Sequence, residues 1–444
     1  MFTIHRTTLF FLAVFFITGC QNVKSYHEEL EGGIEEPEIP YDVGKLLPFE
    51  EYVSSTKQHI LTQLNTKQSP AMFQGGYSIQ EAARMRSPFQ YPINSADRCS
   101  ESKHGGNLGF LLIHGLTDSP YLMSGLRDSI KSKYKCALIR AIVLPGHSTI
   151  PGHSRAMSYG QWLNATTYGV QSFKGIDNID SVYVMTFSTG APLIIRHLAE
   201  TTEDNKVKGA VFISAAIKAK HWAAPFSGVA KHFIHWTDVT NEQDAARYES
   251  FSSHAGAEFY LLTKVLHEEK YQFRKPIFVA ISADDSTVSA EAALKYFCNA
   301  ETSKKTLIWY QHAHTEEPLS NFEEDIGDCR NHILLVEAEK MKNKPDNYIS
   351  FSHTSLSIPP NDPHYGIQGR YKQCKAYFDI DEPEKEEFIE CIKANGVGYL
   401  VGENSYTLEN EADKKDVPWR RGTYNPAYAQ MEAQIFKFLE SIQQ

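Results

Sequence analysis

The sequence predicts an α/β architecture: a mostly parallel central sheet flanked by helices, enlarged by a helical cap insertion and a C-terminal insertion. Two observations predict it. Short apolar runs without polar alternation recur at 109–113 (GFLLI), 137–143 (ALIRAIV), 182–186 (VYVMT), 209–214 (GAVFIS) and 276–282 (PIFVAIS). Runs of that length, rich in β-branched and aromatic residues, read as strands buried on both faces. Between them, 121–133 (YLMSGLRDSIKSK) and 190–200 (GAPLIIRHLAE) carry apolar residues at helical spacing. Strands alternating with helices imply a parallel sheet covered on its faces.

The elements follow in chain order. His5 and Arg6 precede the apolar run Leu9–Ile17, nine residues long. A membrane-spanning helix needs about 20, so the run suits the apolar region of a secretory leader. It ends in Ile17-Thr18-Gly19-Cys20, which resembles a bacterial lipobox. That resemblance implies a leader over 1–19, lipid attachment on Cys20 as the first mature residue, and anchoring in a membrane. Gln21 rather than Asp follows the cysteine, which by analogy with such lipoproteins favours the outer membrane. Residues 20–50 are acidic and bear Pro and Gly (EELEGGIEEPEIPYD), a composition that tethers rather than packs. The body is then 51–444, with the cap insertion at about 215–272 and an irregular insertion at about 365–422. The cap stretch loses the strand signal and is rich in aromatics, including Trp222, Phe226, Phe233, Trp236, Tyr248 and Phe259. Its place in the alternation puts it over the carboxyl edge of the sheet, where ligands bind in open α/β folds. The chain closes with a helix, MEAQIFKFLESI, presenting Ile435, Phe436 and Leu439 on one face.

Composition limits the function classes. The chain of 444 residues is long enough for about three domains at roughly 150 residues each. With 54 acidic against 44 basic residues and no basic block, general binding to nucleic acid is excluded. Seven cysteines are an odd number. Setting aside Cys20 leaves Cys99, Cys136, Cys298, Cys329, Cys374 and Cys391, enough for up to three disulfides in an exported protein. Six cysteines allow 15 connectivities. No Cys-x-x-Cys pair or His/Cys cluster has zinc spacing, so no metal is expected.

The segment VYVMTFSTGAPLII carries the chemistry. A strand runs into Thr186-Phe187-Ser188-Thr189-Gly190 and a helix starts directly after. This resembles the nucleophile elbow of the α/β-hydrolase superfamily, G-x-S-x-G, with Thr186 where the pattern has its first Gly. The strand–turn–helix lifts the central serine clear of the sheet, and the helix N-terminus adds positive partial charge beside it. GFLLIHGLTDSPYLM (109–123) resembles the His-Gly loop of lipases, esterases and serine aminopeptidase-like hydrolases. That likeness implies an oxyanion hole from the backbone N–H groups of Leu116 and Thr189. LPGHSTIPGHS (144–154) resembles a loop of the monoacylglycerol lipase and carboxylesterase branch, in which His147 reads as structural.

The family order puts an acid and then a base after the serine. Asp285 follows the strand PIFVAIS and has Val288 three positions on, as the family pattern asks; Asp284 aligns less well. For the base, His353 follows the strand-like run YISFS. His312 and His314 follow TLIWY, 27 and 29 residues past Asp285, and His314 is the reserve choice. The stretch around His364 (NDPHYG) reads as turn chemistry. The resemblance implies a lipid-anchored serine hydrolase acting on a small acyl substrate, a carboxylester first, through Ser188, His353 and Asp285 and without a cofactor. Two other readings stay open: an envelope peptidase or amidase of the serine aminopeptidase type, and a non-catalytic surface lipoprotein on a hydrolase scaffold.

Overall fold

A computed structural model of the chain describes residues 47–67, 73–92, 107–201, 206–220, 226–240, 242–342, 344–374, 389–391, 393–394, 396–403 and 417–443. The leader, Cys20, most of the tether, Cys99 and Trp222 lie outside the described residues.

The central sheet has eight strands. These are β1 (Phe89–Tyr91), β2 (Leu108–Ile113), β3 (Leu138–Ile142), β4 (Ser181–Phe187), β5 (Val207–Ile213), β8 (Ile277–Ser282), β9 (Lys305–Gln311) and β10 (Ile333–Glu337). A short antiparallel pair, β6 (Trp236–Asp238) and β7 (Phe251–Ser252), stands apart from it. The order across the sheet is β1-β3-β2-β4-β5-β8-β9-β10, parallel throughout except for the edge strand β1. The five apolar runs read from sequence are β2, β3, β4, β5 and β8, and β2, β3 and β8 are buried at every position.

Alternation along the strands divides the core into two layers. Leu111, Ile113, Val184, Phe212, Val279 and Trp309 face one way. There they meet α1 (Phe49–Lys67), α4 (Tyr159–Gln171), α5 (Gly190–Glu200), α6 (Ser253–Glu268) and α7 (Ala290–Cys298), through side chains such as Tyr52, Trp162, Leu193, Leu262 and Leu294. Phe110, Leu112, Tyr183, Met185, Val211 and Phe278 face the other way. They pack on α3 (Ser124–Lys133) and α8 (Tyr428–Gln443) through Leu126, Ile130, Met431, Ile435 and Leu439. A further helix, α2 (Ile79–Arg86), opens with a capping box from Ser78 and Glu81 and ends at a buried Arg86. That guanidinium donates to four backbone carbonyls, of Thr149, Asp244, Ala245 and Arg247, and so fastens the N-terminal helices to the body.

Two stretches differ from the sequence reading. Within 215–272, α6 is the crossover helix from β5 to β8 and buries Ala255, Phe259 and Leu262 in the core. The described residues before it form only short elements, β6 and β7 among them, and there Phe226 and Phe233 are exposed while Tyr248 is buried. The second is YISFS, which is not a sheet strand. β10 occupies the edge beside β9, with Ile333 opposite Leu307. Residues 347–349 instead bond to β11 (Leu400–Gly402), which pairs in parallel with β12 (Trp419–Arg421). Disulfides join Cys298 to Cys329 and Cys374 to Cys391, and Cys136 is also disulfide-bonded.

Candidate active site

The chain leaves β2 toward β3 on one side and returns through β4 on the other, so the carboxyl ends of β2 and β4 border a switch point, where open α/β sheets bind ligands. Ser188 sits at the end of β4 with φ 51°, left-handed backbone that costs a non-glycine residue about 1–3 kcal/mol. Its surroundings hold it there. Its N–H donates to the Ile213 carbonyl at 2.9 Å, and its own carbonyl accepts from Ala191 at 3.1 Å and Ala216 at 3.2 Å. α5 begins two residues later, at Gly190. A Cβ on Gly190 would stand 2.7 Å from the Ile113 carbonyl oxygen and 3.0 Å from the Thr186 Cβ. The bare glycine therefore makes room for the β-branched Thr186, which departs from the family pattern.

The loop after β2 presses on the same serine. A Cβ on Gly115 would lie 2.8 Å from the Ser188 Cβ and 2.6 Å from an Asp118 carboxylate oxygen. The His114 Nδ1–H donates to the Gly115 carbonyl at 2.8 Å, and its Nε2 accepts the Leu144 N–H at 3.0 Å. Burial holds this imidazole well below its ordinary pKa, so it stays neutral and serves as a brace. The next residues turn sharply, with Thr117 at φ 63° and its carbonyl accepting from Tyr248. Among the described residues, the backbone N–H groups of Leu116 and Thr189 donate to no other protein group. His147 is buried, donates from Nδ1 to the Pro145 carbonyl and packs on Tyr248 and Trp162; burial lowers its pKa to about 4.

The acid and base read from sequence meet this serine. His353 Nε2 is 3.0 Å from Ser188 Oγ, and His353 Nδ1 is 2.6 Å from Asp285 Oδ2. Asp285 Oδ1 accepts the N–H groups of Thr287 at 2.8 Å and Val288 at 2.9 Å, which fixes the carboxylate after β8. With Nδ1–H donating to the carboxylate, Nε2 presents its lone pair to the serine hydroxyl. All three side chains are buried, and Phe187 packs 5.3 Å from the imidazole.

The other candidates lie elsewhere. Asp284 takes no part in this chain of bonds; its carboxyl is buried, and burial pushes it up to about 7 against the opposing pull of the Thr315 side chain. His314 is exposed on the turn after β9, and the buried His312 lies 3.4 Å from Glu339. His364 is in a turn whose N–H groups are capped by Asp362, and its ring is fully buried between Asp244 and Tyr77. This second His–carboxylate pair has no counterpart in the sequence reading. Nor does Asp118, beside Gly115, which burial pushes up to about 6 against the pull of Arg247 at 3.7 Å. Asp118 belongs to the loop read as the oxyanion loop, but nothing in its type or spacing marks its burial. Among the described residues, no group of three or more His, Cys, Asp or Glu is placed to hold a metal ion.

No family model and no curated protein matches the chain. Solved structures similar to it include a soluble variant of monoglyceride lipase from Saccharomyces cerevisiae, at 13% identity over 55% of this chain and 90% of that one, with a TM-score of 0.41. A monoacylglycerol lipase from Paleococcus ferrophilus is 18% identical over 49% of this chain and 91% of its own, with a TM-score of 0.38. Est1E from Butyrivibrio proteoclasticus with bound ferulic acid is 14% identical over 55% of this chain and 94% of its own, with a TM-score of 0.37.

Proposed function

We propose that this chain is a serine hydrolase of α/β-hydrolase type that cleaves carboxylesters through an acyl-enzyme. The observation that carries the reading is the chain of hydrogen bonds from Asp285 through His353 to a serine held at φ 51°. Ser188 Oγ attacks the carbonyl carbon while His353 Nε2 takes its proton, and Asp285 stabilises the imidazolium. The carbonyl oxygen, now negative, accepts from the free N–H groups of Leu116 and Thr189. Collapse of this intermediate expels the alcohol, which takes the proton from His353. Water activated by the same imidazole then frees the acid and restores the serine.

An apolar acyl or aromatic substrate suits the exposed aromatics of the 215–272 stretch, Phe226 and Phe233. Lipid attachment at Cys20 and an outer-membrane location belong to the same proposal and rest on the leader sequence; no described helix is long and apolar enough to cross a membrane.

A fluorophosphonate probe tests the chemistry. Wild type is expected to be labelled once per chain, and Ser188→Ala not at all. Folded wild type that takes no label would sink the hydrolase reading in favour of a non-catalytic lipoprotein. Labelling that persists in Ser188→Ala would sink the assignment of the serine alone. His353→Ala should lose ester turnover by about 10⁴-fold or more, and His314→Ala should keep it. A panel of p-nitrophenyl esters against aminoacyl amides separates the esterase from the peptidase.

A further inference from the structure

The 365–422 insertion matches no motif, yet its end reaches the groups proposed to do the chemistry. Ile349 N–H donates to the Val401 carbonyl and Val401 N–H to the Asn347 carbonyl, both at 2.7 Å. Beyond β11, Gly422 N–H donates to the Gly402 carbonyl. The segment leading to His353 thus lies on a small ribbon made by β11 and β12, separate from the central sheet.

Glu403 follows β11 and is buried. Its Oε2 accepts the backbone N–H of His353 at 3.0 Å. Its Oε1 accepts the backbone N–H of Ser286 at 3.0 Å and the Ser286 hydroxyl at 2.5 Å. Arg421, at the end of β12, donates Nε to Oε2 at 3.1 Å and Nη2 to Oε1 at 2.7 Å. The same Nη2 reaches the Thr287 hydroxyl at 3.1 Å. One carboxylate therefore takes the N–H of the base and the N–H of the residue after the acid, one loop on each oxygen.

We propose that Glu403, fixed by Arg421, is a positioning residue that holds the loop of Asp285 and the loop of His353 at the separation their hydrogen bond requires. The proposal rests on the Ser188–His353–Asp285 reading. An ion pair serving only to bury charge has no need to divide its acceptors between these two loops. Without the carboxylate, the buried N–H of His353 and the N–H of Ser286 lose their acceptor and Arg421 loses its counter-ion, so both loops are free to shift. A base displaced by about 1 Å costs on the order of 100-fold in rate.

The test uses the mature protein and the fluorophosphonate probe, and it separates the titre of reactive sites from the labelling rate constant per titrated site. A merely structural role would lower the titre and leave the rate per site unchanged. Glu403→Ala is expected to lower the rate per site on the order of 10- to 100-fold, and to lower kcat on a p-nitrophenyl ester with KM nearly constant. Glu403→Gln keeps one acceptor oxygen and should lose less; Arg421→Lys keeps the charge and should lose least. If Glu403→Ala does not fold, the Gln and Lys variants carry the measurement. Rates per site within about twofold of wild type in the folded variants overturn the proposal. Labelled wild type keeps the hydrolase reading in that case, whereas unlabelled wild type overturns both.

Discussion

Ser188 and His353 stand 3.0 Å apart, but different physics places them. The serine belongs to the central sheet. One contiguous strand–turn–helix carries it, and Gly190 and Gly115 let a helix and a neighbouring loop close on it. The histidine belongs to a ribbon outside that sheet, where 347–353, β11 and β12 lean on one another and on the ion pair of the buried Glu403 with the half-buried Arg421. The first region is set by close sterics around one strand–turn–helix, on which the loop after β2 and the end of β5 pack. The second is assembled from segments dozens of residues apart, so its order depends on an insertion being folded.

Perturbing each region sharpens this contrast. The largest effect is expected from Gly115→Ala, since the new methyl would meet the Ser188 Cβ at 2.8 Å and the Phe187 ring at 2.9 Å. A fall in kcat/KM of about 100-fold or more should follow, read by ester turnover. Near-normal turnover would mean that the close approach at the elbow is not what positions the serine. In the other region, Cys391→Ser opens the Cys374–Cys391 bridge, which closes a separation of 17 residues. The loss should be about 3 kcal/mol, seen as a lower thermal midpoint together with slower labelling per site. The far-UV spectrum of the sheet and helices should not change. If the midpoint falls while labelling keeps its rate, the base does not depend on the insertion.

A smaller effect comes from the buried acid next to the proposed one. Asp284 keeps its proton up to about pH 7 in the folded chain, against an ordinary value of 3.8. Between about pH 4 and pH 7 the folded state therefore binds a proton that the unfolded state has released, and stability falls as pH rises through that window. Asp284→Asn removes the ionisation. Its thermal midpoint relative to wild type should be higher at pH 8 than at pH 5; an equal difference at both would show that Asp284 is not a buried titrating group.

Much of this is legible in the amino-acid sequence, for identifiable physical reasons. The runs that became β2, β3, β4, β5 and β8 are continuous and apolar because both faces are covered. Ser188 stands out through a contiguous strand–turn–helix, whereas Leu116 and Thr189 follow only from the resemblance of their segments to the hydrolase loops. The resemblance separates Asp285 from Asp284 through the apolar Val288 three positions on, whose N–H the Asp285 carboxylate accepts. Other elements left too little signal. β1 has three residues, and β10 exposes Leu334 and Leu335 at the edge of the sheet, so neither reads as a buried run. YISFS has the composition of a sheet strand, but β10 holds the edge beside β9 and residues 347–349 bond to β11 instead. Nor does sequence spacing relate Glu403 to Ser286, or Asp244 to His364, because each pair meets only after the chain has folded back over a long separation.

The sequence by itself determined the layered α/β order, the strand–turn–helix that presents Ser188, and the short list of acids and histidines from which partners had to come. Periodicity and steric turn rules act within about a dozen residues, and these features need nothing longer. Tertiary structure alone decided which histidine meets the serine, how Thr186 is accommodated and what steadies the two loops. Those outcomes depend on close packing and on satisfying buried N–H groups between segments that share no local pattern.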